Sequence, residues 1–394
     1  MITYGKNVYG KKEINAIVKT LKNSTQMGKQ VSKFEKRISN LFGKKYTVMV
    51  NSGSSALDIA FSILDFPKGS NFITPVLTFG TTVSSMIRAN YIPNFLDINA
   101  DSLCISENKI LKAINKKTVG MCIPNLVGNL PNWLIIKKIA KKYNLFLIED
   151  SADTLGYKIK NGNTGKISDI VITSYYGSHI VSCAGNGGSI SLNNKKLYEK
   201  SLLLRSWGRS SSLFKENSEK IENRFNIKLD GIEYDKKFVF QEMGFNYEPS
   251  EIGAAFGNVQ LDNLSNNINI RKRNFNIHYN FFSKYEKYFI LPKVLDFVDT
   301  AWLAFPVLLK PRMINRKKFM IFLEKNKIQT RVIFTGNILK QPGFRNINYV
   351  GKKRNFSQAN YIMKNSILIG LHQGLSINNI KKIHRTIVSF LDKN

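Results

Sequence analysis

The chain has 394 residues, and its 59 lysines and arginines outnumber its 27 aspartates and glutamates, which gives a formal charge of +32. Because 43% of the residues are hydrophobic, the chain can bury a large core, and its composition excludes the disordered class. The length predicts two domains, since single cores stop growing at about 250–300 residues. Its three cysteines form no CxxC pair, which argues against a disulfide framework or a zinc site and predicts a reducing compartment.

The first two thirds of the chain alternate between helical and strand patterns. Helical periodicity over residues 13–21 and 31–41 precedes a strand, a turn and a helix over residues 44–64. Short apolar runs bounded by turn residues follow, as expected of strands buried in a mostly parallel sheet. These runs cover residues 72–76, 119–126, 145–150 and 169–176.

A long polar helical stretch over residues 262–285 predicts a hinge between two domains. Beyond it the pattern suggests a smaller α/β unit, with apolar runs at 305–311 and 329–334, a helix near 316–325 and a closing helix from residue 378. We therefore expect an α/β fold with a mostly parallel central sheet. The predicted large domain covers residues 1–262, and the predicted smaller C-terminal domain covers residues 263–394.

The positive charge is spread along the chain as lysine pairs, with no long basic block. Nucleic-acid binding is one interpretation, because clustered lysines and arginines release counterions from phosphates, but no motif supports it. We expect a generally basic surface that favours small anionic substrates. The sequence contains no apolar run of signal-peptide length at its start and no run of about 18 apolar residues. It therefore predicts a cytoplasmic protein with no membrane or nucleic-acid partner.

Three segments carry residues suited to chemistry. In residues 51–57 a strand ends in small residues and a helix begins. This turn is either a phosphate-binding site at the helix N-terminus or an ordinary turn with a serine cap. A second segment has two acids at the end of a strand, Glu149 and Asp150, with Asp153 three residues later. These carboxylates could bind a metal, act as an acid–base pair or bind a cationic ring nitrogen. In residues 169–192, His179 lies in a polar loop beside glycines, which favours a functional imidazole over a buried structural one.

The order of these segments resembles the DegT-type sugar-nucleotide aminotransferases, a family of the aspartate-aminotransferase fold (fold type I) that uses pyridoxal phosphate. The similarity covers nearly the whole chain. Its motifs are TQMGKQVSKFE at 25–35, NSGSSAL at 51–57, TPVLTFGTT at 74–82, EDSADTLG at 149–156, SYYGSHIVSCAGNGGS at 174–189 and GFNYEPSEIGAAFGNVQLDNL at 244–264.

The resemblance implies a role for each matched position. Ser54, Ser55 and Ser174 would hold the cofactor phosphate, and Asn246 would reach it from the partner subunit of a homodimer. Phe79 would stack on the pyridine ring, and Asp153 would lie close to that ring. Asp150 would pair with the ring nitrogen, because an adjacent carboxylate keeps a proton on the pyridine and makes the ring an electron sink.

The position of the family's Schiff-base lysine is occupied here by His179, and no lysine lies between Lys166 and Lys195. Imidazole cannot form that bond but can move a proton. The same change occurs in a branch of the family, the 3-dehydratases of nucleotide-linked 4-keto-6-deoxyhexoses. The segments VGN at 127–129, RSWGR at 205–209, AWLAFP at 301–306 and TRVIFTGNILKQPGF at 330–344 also resemble that branch.

Some members of the branch carry a [2Fe-2S] cluster, whose cysteines fall at positions held here by Ala152, Ser211 and Leu213. Because such a cluster needs thiolates, we expect none, and the chain is similar in kind to the cluster-free GDP-4-keto-6-deoxymannose 3-dehydratase. The resemblance implies pyridoxamine phosphate as the working cofactor, His179 as acid and base, and glutamate as amino donor. Trp302 and Arg331, in the last two motifs, are candidates for lining the sugar-nucleotide pocket.

Two departures from the family pattern make the substrate less defined than the chemistry. Asn186 replaces an acid in a glycine-rich turn, and Glu248 precedes Pro249 where the family has a basic residue. Two further functions stay open at this point. One is a sugar aminotransferase that holds its cofactor non-covalently, and the other is a catalytically silent family member with a binding role.

Overall fold

The computed structural model describes residues 1–160, 162–214 and 224–393. Its strands in chain order are β1 Tyr46–Val50, β2 Asn71–Pro75, β3 Ile92–Leu96, β4 Thr118–Pro124, β5 Phe146–Asp150, β6 Lys158–Ile159, β7 Ile170–Ser174, β8 Gly188–Leu192, β9 Ile227–Leu229, β10 Ile232–Tyr234, β11 Phe289–Ile290, β12 Val298–Asp299, β13 Phe305–Leu309 and β14 Ser366–Ile369. Its α-helices are α1 Lys11–Asn23, α2 Lys29–Phe42, α3 Gly53–Ser62, α4 Gly80–Arg88, α5 Ile110–Ala113, α6 Trp133–Tyr143, α7 Lys195–Arg205, α8 Glu251–Asp262, α9 Leu264–Phe282, α10 Arg316–Lys325, α11 Ser357–Asn365 and α12 Ile377–Leu391.

Seven strands form the central sheet in the order β1-β8-β7-β5-β4-β2-β3. Neighbouring strands from β7 to β3 run parallel, while β8 runs antiparallel to both β7 and β1. The strands are almost continuously buried, because helices cover the sheet and leave no face to water. This confirms the predicted α/β fold with its mostly parallel sheet.

The C-terminal part builds a smaller sheet in the order β11-β13-β14, on which α10 and α11 pack. The predicted helix at 316–325 is α10, and the predicted closing helix is α12. The apolar run at 329–334 contributes only one isolated bridge, between Arg331 and Leu368. The chain turns immediately afterwards, since Phe334 has a φ of 43° and the N–H of Gly336 donates to the carbonyl of Ile333.

The predicted boundary at residue 262 falls where α8 ends and α9 begins. Core packing continues across it, because Val76 and Phe95 of the N-terminal part belong to the same buried cluster as Phe305 and Leu368. We keep the division into 1–262 and 263–394 as a proposal. Within the described ranges, no helix combines the length and the apolar character needed to cross a membrane.

The topology brings several loops to one edge of the central sheet. Strands β5 and β7 both end there, at Asp150 and Ser174. Helix α3 begins there after β1, and Phe79 is the residue that precedes α4 after β2. Because the carboxyl ends of parallel strands meet at one edge, this is where an open α/β sheet binds its ligand.

Candidate active site

A cavity of about 370 Å³ opens at the edge of the sheet where β5 and β7 end. Six of the residues that the sequence singled out line it together, although they come from four separate segments of the chain. They are Ser54, Phe79, Asp150, Asp153, Ser174 and His179. The motifs therefore converge on one place, and their individual roles stay predictions.

The first turn of α3 forms one wall of this cavity. Ser52 caps the helix, with its Oγ accepting from the backbone N–H of Ser55 at 3.1 Å, and Gly53 and Ser54 face the cavity. A β-carbon on Gly188 would lie 2.3 Å from the carbonyl of Ser52, so only glycine lets β8 approach this turn. The result is a helix N-terminus that opens to the cavity, which is an arrangement suited to an anion.

Ser55 is buried and does not line the cavity. Its Oγ donates to the side-chain oxygen of Asn51 at 2.6 Å and lies 2.9 Å from the Oγ of Ser52. The two predicted phosphate-binding serines of α3 therefore point to different surroundings. Ser54 is accessible to a ligand, whereas the hydroxyl of Ser55 is engaged within the protein.

Asp150 places a buried carboxylate in the cavity, and none of the residues that the structure describes gives it a basic side chain as partner. It accepts from the Oγ1 of Thr82 at 2.9 Å and from the N–H of Ala152 at 3.2 Å. Burial raises the pKa of Asp150, while these two hydrogen bonds oppose the rise. A buried carboxylate with neutral partners only is a site that a cationic group can complete.

Glu149, next to Asp150 in sequence, is buried on the opposite side of β5. It accepts hydrogen bonds from five side chains that surround it, namely Asn125, Ser151, Tyr157, Thr164 and Ser168. Alternate residues of a strand face opposite sides of the sheet, so the pair cannot act together on one ligand. Of these two carboxylates, Asp150 faces the cavity, whereas Glu149 is enclosed by hydrogen-bond donors of the protein.

Asp153 lies on the same side of the cavity as the loop after β4. Its carboxylate accepts from the backbone N–H of Val127 at 2.8 Å. Burial raises the pKa of Asp153 to about 7; the Val127 hydrogen bond opposes this rise and Asp150 adds to it. Asp153 is therefore a carboxyl group that changes its protonation near neutral pH.

His179 is half-buried in the loop between β7 and β8. Its Nδ1 lies 3.1 Å from the carbonyl oxygen of Ser174, and a carbonyl only accepts, so Nδ1 carries the proton. The pKa of His179 is lowered to about 4, mainly by burial and also by the positive charge of Arg271, while the Ser174 hydrogen bond opposes this shift. The imidazole is thus neutral at pH 7, with Nε2 available as a base.

An aromatic side chain flanks the cavity on another side. Phe79 is 53% exposed, which is unusual for a phenylalanine at the edge of a core. Its ring meets Phe334 edge to face, with the centroids 5.9 Å apart, and both residues line the cavity. A planar ligand placed here could stack on the free face of Phe79.

Three other predicted residues lie outside the cavity. Trp302 is 2% exposed and stacks on Phe275 with 5.2 Å between ring centroids, so its ring belongs to the C-terminal core. Arg331 is exposed, and its guanidinium lies 5.8 Å from the centroid of the Tyr4 ring. Asn246 is exposed next to α3, with its carbonyl 3.4 Å from the amide of Asn51.

The structure adds residues that the motifs did not identify. Tyr4, Tyr176, Ser178 and Phe334 line the cavity. Tyr176 packs against His179, with 6.0 Å between ring centroids, and its closeness in sequence to the histidine is the signal that could have identified it. Asn186, noted as a departure from the family pattern, also lines the cavity, whereas Glu248 does not.

The groups that line the cavity fit a ligand with a phosphate and an aromatic ring that contains a protonatable nitrogen. The helix N-terminus suits the phosphate, the exposed face of Phe79 suits the ring, and the unpaired carboxylate of Asp150 suits the nitrogen. In the described ranges, no group of three or more His, Cys, Asp or Glu side chains is arranged to hold a metal ion. The helix N-terminus, the exposed ring of Phe79 and the carboxylate of Asp150 together suit an organic cofactor.

Comparison with known proteins agrees with this chemistry. Residues 8–388 match the model of the DegT/DnrJ/EryC1/StrS aminotransferase family. The lipopolysaccharide biosynthesis protein RfbH of Salmonella typhimurium is 30% identical over 401 residues, which covers 98% of this chain and 91% of that protein. The GDP-4-keto-6-deoxy-D-mannose 3-dehydratase of Yersinia pseudotuberculosis is 29% identical over 379 residues, covering 93% of each chain.

A solved structure of GDP-4-keto-6-deoxymannose-3-dehydratase with a trapped PLP-glutamate geminal diamine superposes with a TM-score of 0.89 at 26% identity. It covers 98% of this chain and 100% of the other. A histidine-to-asparagine variant of that enzyme, with bound GDP-perosamine, superposes with a TM-score of 0.88 and the same coverage. These matches confirm the resemblance drawn from the motifs and the α/β fold that it implied.

Proposed function

The chain belongs to the DegT/DnrJ/EryC1/StrS aminotransferase family, and on that premise we propose that it removes the C3 hydroxyl from a nucleotide-linked 4-keto-6-deoxyhexose. The observation that carries the proposal is that His179, which the resemblance places at the position of the family's lysine, lines the cavity. Among the described residues that line the cavity, none is a lysine. The cofactor would therefore be held without a covalent bond, and His179 would act as the proton carrier.

The residues present would hold pyridoxal or pyridoxamine phosphate. Ser54 and the start of α3 would bind the phosphate with Ser174, Phe79 would cover the ring, and Asp150 would keep the ring nitrogen protonated. Asp153 would lie beside the ring, and Asn246 of a partner subunit would reach the phosphate in a homodimer. When bound, the cofactor supplies an amine that captures the sugar ketone and a ring that accepts electrons.

His179 would move the protons of the reaction. Its Nε2 is unprotonated at neutral pH because Nδ1 donates to the carbonyl of Ser174. It can therefore take a proton as a base and, once protonated, return it to the departing C3 hydroxyl as an acid. The same group can serve both steps because the hydrogen bond to Ser174 fixes the ring while the proton moves at Nε2.

Glutamate would regenerate the amine form of the cofactor. The complete reaction then replaces the C3 hydroxyl by hydrogen, oxidises glutamate to 2-oxoglutarate and releases ammonia, so that the two electrons gained by the sugar come from glutamate. GDP is the nucleotide that the similarity to the Yersinia and solved dehydratases supports. The similarity to the lipopolysaccharide biosynthesis protein RfbH supports a role in lipopolysaccharide synthesis. We propose that this role is to make a deoxysugar for the O-antigen, in the cytoplasm.

The second candidate function is transamination of the sugar, which the family as a whole supports. Analysis of the product separates the two. The protein is incubated with GDP-4-keto-6-deoxymannose, pyridoxamine phosphate and glutamate, and the sugar product is examined by mass spectrometry. Loss of one oxygen from the hexose supports dehydration, whereas an amino group in place of the ketone supports transamination. Lack of both products and of cofactor absorbance would support a non-catalytic binding role.

A further inference from the structure

Residues 2–8, which we call the N-terminal strap, run from the C-terminal sheet to the cavity. The N–H of Ile2 donates to the carbonyl of Lys327 at 2.7 Å, and the N–H of Gln329 donates to the carbonyl of Ile2 at 2.9 Å. The N–H of Tyr4 donates to the side-chain oxygen of Gln329 at 3.0 Å. The backbone before and at Tyr4 is therefore fixed by residues of the C-terminal part.

The other end of the strap is attached to the N-terminal part. The side-chain oxygen of Asn7 accepts from the Oγ of Ser182 at 2.9 Å, and the carbonyl of Val8 accepts from Gln260 at 3.1 Å. Between these anchors, a β-carbon on Gly5 would lie 2.8 Å from the β-carbon of Ser178. The strap thus packs directly against the residue that precedes His179.

Tyr4 extends from the strap into the cavity wall. Its hydroxyl has no hydrogen-bond partner among the residues that the structure describes, although Asp153, Arg271 and Arg331 are close enough to act on its charge. Burial, together with Asp153, raises the pKa of Tyr4, so the phenol keeps its proton. A fixed, protonated hydroxyl without a protein partner is available to a ligand.

We propose that Tyr4 is a specificity residue whose hydroxyl forms a hydrogen bond with an oxygen of the substrate's hexose. The assignment rests on the proposed function, in which the hexose must reach Nε2 of His179. Tyr4 is on that side of the cavity, because Gly5 contacts Ser178 and the phenol lies near Asp153.

The test compares Tyr4→Phe with Tyr9→Phe. Phenylalanine keeps the ring that packs under Arg331 and removes only the hydroxyl. Tyr9 is a matched control, since it is 55% exposed outside the cavity and touches Phe256 edge to face. Each protein, loaded with pyridoxal phosphate, is titrated calorimetrically with GDP-perosamine and with GDP. The thermal unfolding midpoint of each variant verifies that it is folded.

We expect Tyr4→Phe to weaken the binding of GDP-perosamine by about 3- to 10-fold, which is the effect of losing one neutral hydrogen bond. Binding of GDP should stay within about twofold, and Tyr9→Phe should change neither ligand. Unchanged binding of GDP-perosamine to Tyr4→Phe would overturn the assignment. Equal weakening of both ligands would also overturn it, because the hydroxyl would then act on the nucleotide.

The same titrations separate this inference from the proposed function. A wild-type protein that binds GDP-perosamine through Tyr4 but releases no 3-deoxy sugar contradicts dehydration and leaves the role of Tyr4 standing. A wild-type protein that binds neither GDP-perosamine nor GDP contradicts a GDP-linked substrate, and the assignment of Tyr4 fails with it.

Discussion

The Nδ1 of His179 lies 3.1 Å from the carbonyl oxygen of Ser174, the last residue of β7. This hydrogen bond connects the imidazole directly to the central sheet, so the base is held by a rigid element although it lies in a loop. It also fixes the tautomer, because the carbonyl can only accept. Both consequences can be tested on the imidazole itself.

We expect His179 to stay neutral until the pH falls to about 4, well below the ordinary histidine value near 6.5. Burial is the main cause, and Arg271 adds to it. Titration by NMR of protein labelled in its histidines gives this pKa, and the signal that disappears in His179→Asn identifies the residue. A midpoint near 6.5 would contradict the lowered pKa of His179.

The lowered pKa of His179 also affects the stability of the folded protein. Because the unfolded imidazole takes up a proton near pH 6.5 and the folded one does not until about pH 4, His179 favours unfolding as the pH falls between these values. Its replacement by asparagine should therefore make the protein less sensitive to acid over this interval. Thermal unfolding midpoints of both proteins, measured from pH 7 to pH 4.5, give the comparison, and identical pH dependence would argue against the shift.

His179→Asn should lower the rate of dehydration by about a thousandfold or more, since it removes the only proposed acid and base. Binding of pyridoxal phosphate should change little, because the phosphate, ring and nitrogen would be held by other residues. His384→Asn is the matched control, as His384 lies in α12 and stacks on Phe281 away from the cavity. Substantial turnover by His179→Asn, measured by sugar product formation, would show that another group moves the proton.

The neighbours Asp150 and Glu149 should give opposite results. Asp150→Asn removes the charge that would hold a proton on the ring nitrogen, so we expect activity to fall by about 100-fold or more while the fold is kept. Glu149→Gln should reduce stability by about 1–3 kcal/mol, because five donors surround this carboxylate. Turnover and thermal unfolding of both variants test this, and a loss of activity without loss of stability in Glu149→Gln would contradict it.

The two serines of α3 should also differ. Ser54→Ala should weaken the binding of pyridoxal phosphate by about 10-fold, as expected for one hydrogen bond to a charged group. Ser55→Ala should weaken it by no more than about threefold, because its hydroxyl already binds Asn51. Fluorescence titration of the apo proteins with pyridoxal phosphate gives both values. An equal loss in the two variants would mean that Ser55 also reaches the phosphate.

Local patterns predicted the position of the site because its residues follow strands. Asp150 ends β5 and Ser174 ends β7, and strand ends in a parallel sheet meet at one edge whatever the loops do. The sequence also indicates that the side chains of Glu149 and Asp150 lie on different sides of the sheet, since successive residues of a strand face opposite sides. The helix start at 51–57 was recognisable for the same reason, as a small-residue turn between two regular elements.

Tyr4 could not be found in this way. It lies in the cavity only because Ile2 pairs with Ile328 and Gln329 binds the backbone of Tyr4, contacts between residues more than 300 positions apart. Trp302 shows the opposite case. Its motif suggests a ligand contact, which stays a prediction, whereas the stacking on Phe275 that buries the indole in the C-terminal core could not be read from the sequence. Such long-range packing leaves no local pattern in the sequence.

The most direct test of the proposed chemistry is the ratio of ammonia to 2-oxoglutarate formed from GDP-4-keto-6-deoxymannose and glutamate. Dehydration with His179 as acid and base predicts one ammonia for each 2-oxoglutarate, with the same amount of sugar losing its C3 oxygen. Transamination would form 2-oxoglutarate and an amino sugar without ammonia. A ratio near zero would therefore contradict the account, and a ratio near one that is lost in His179→Asn would establish it.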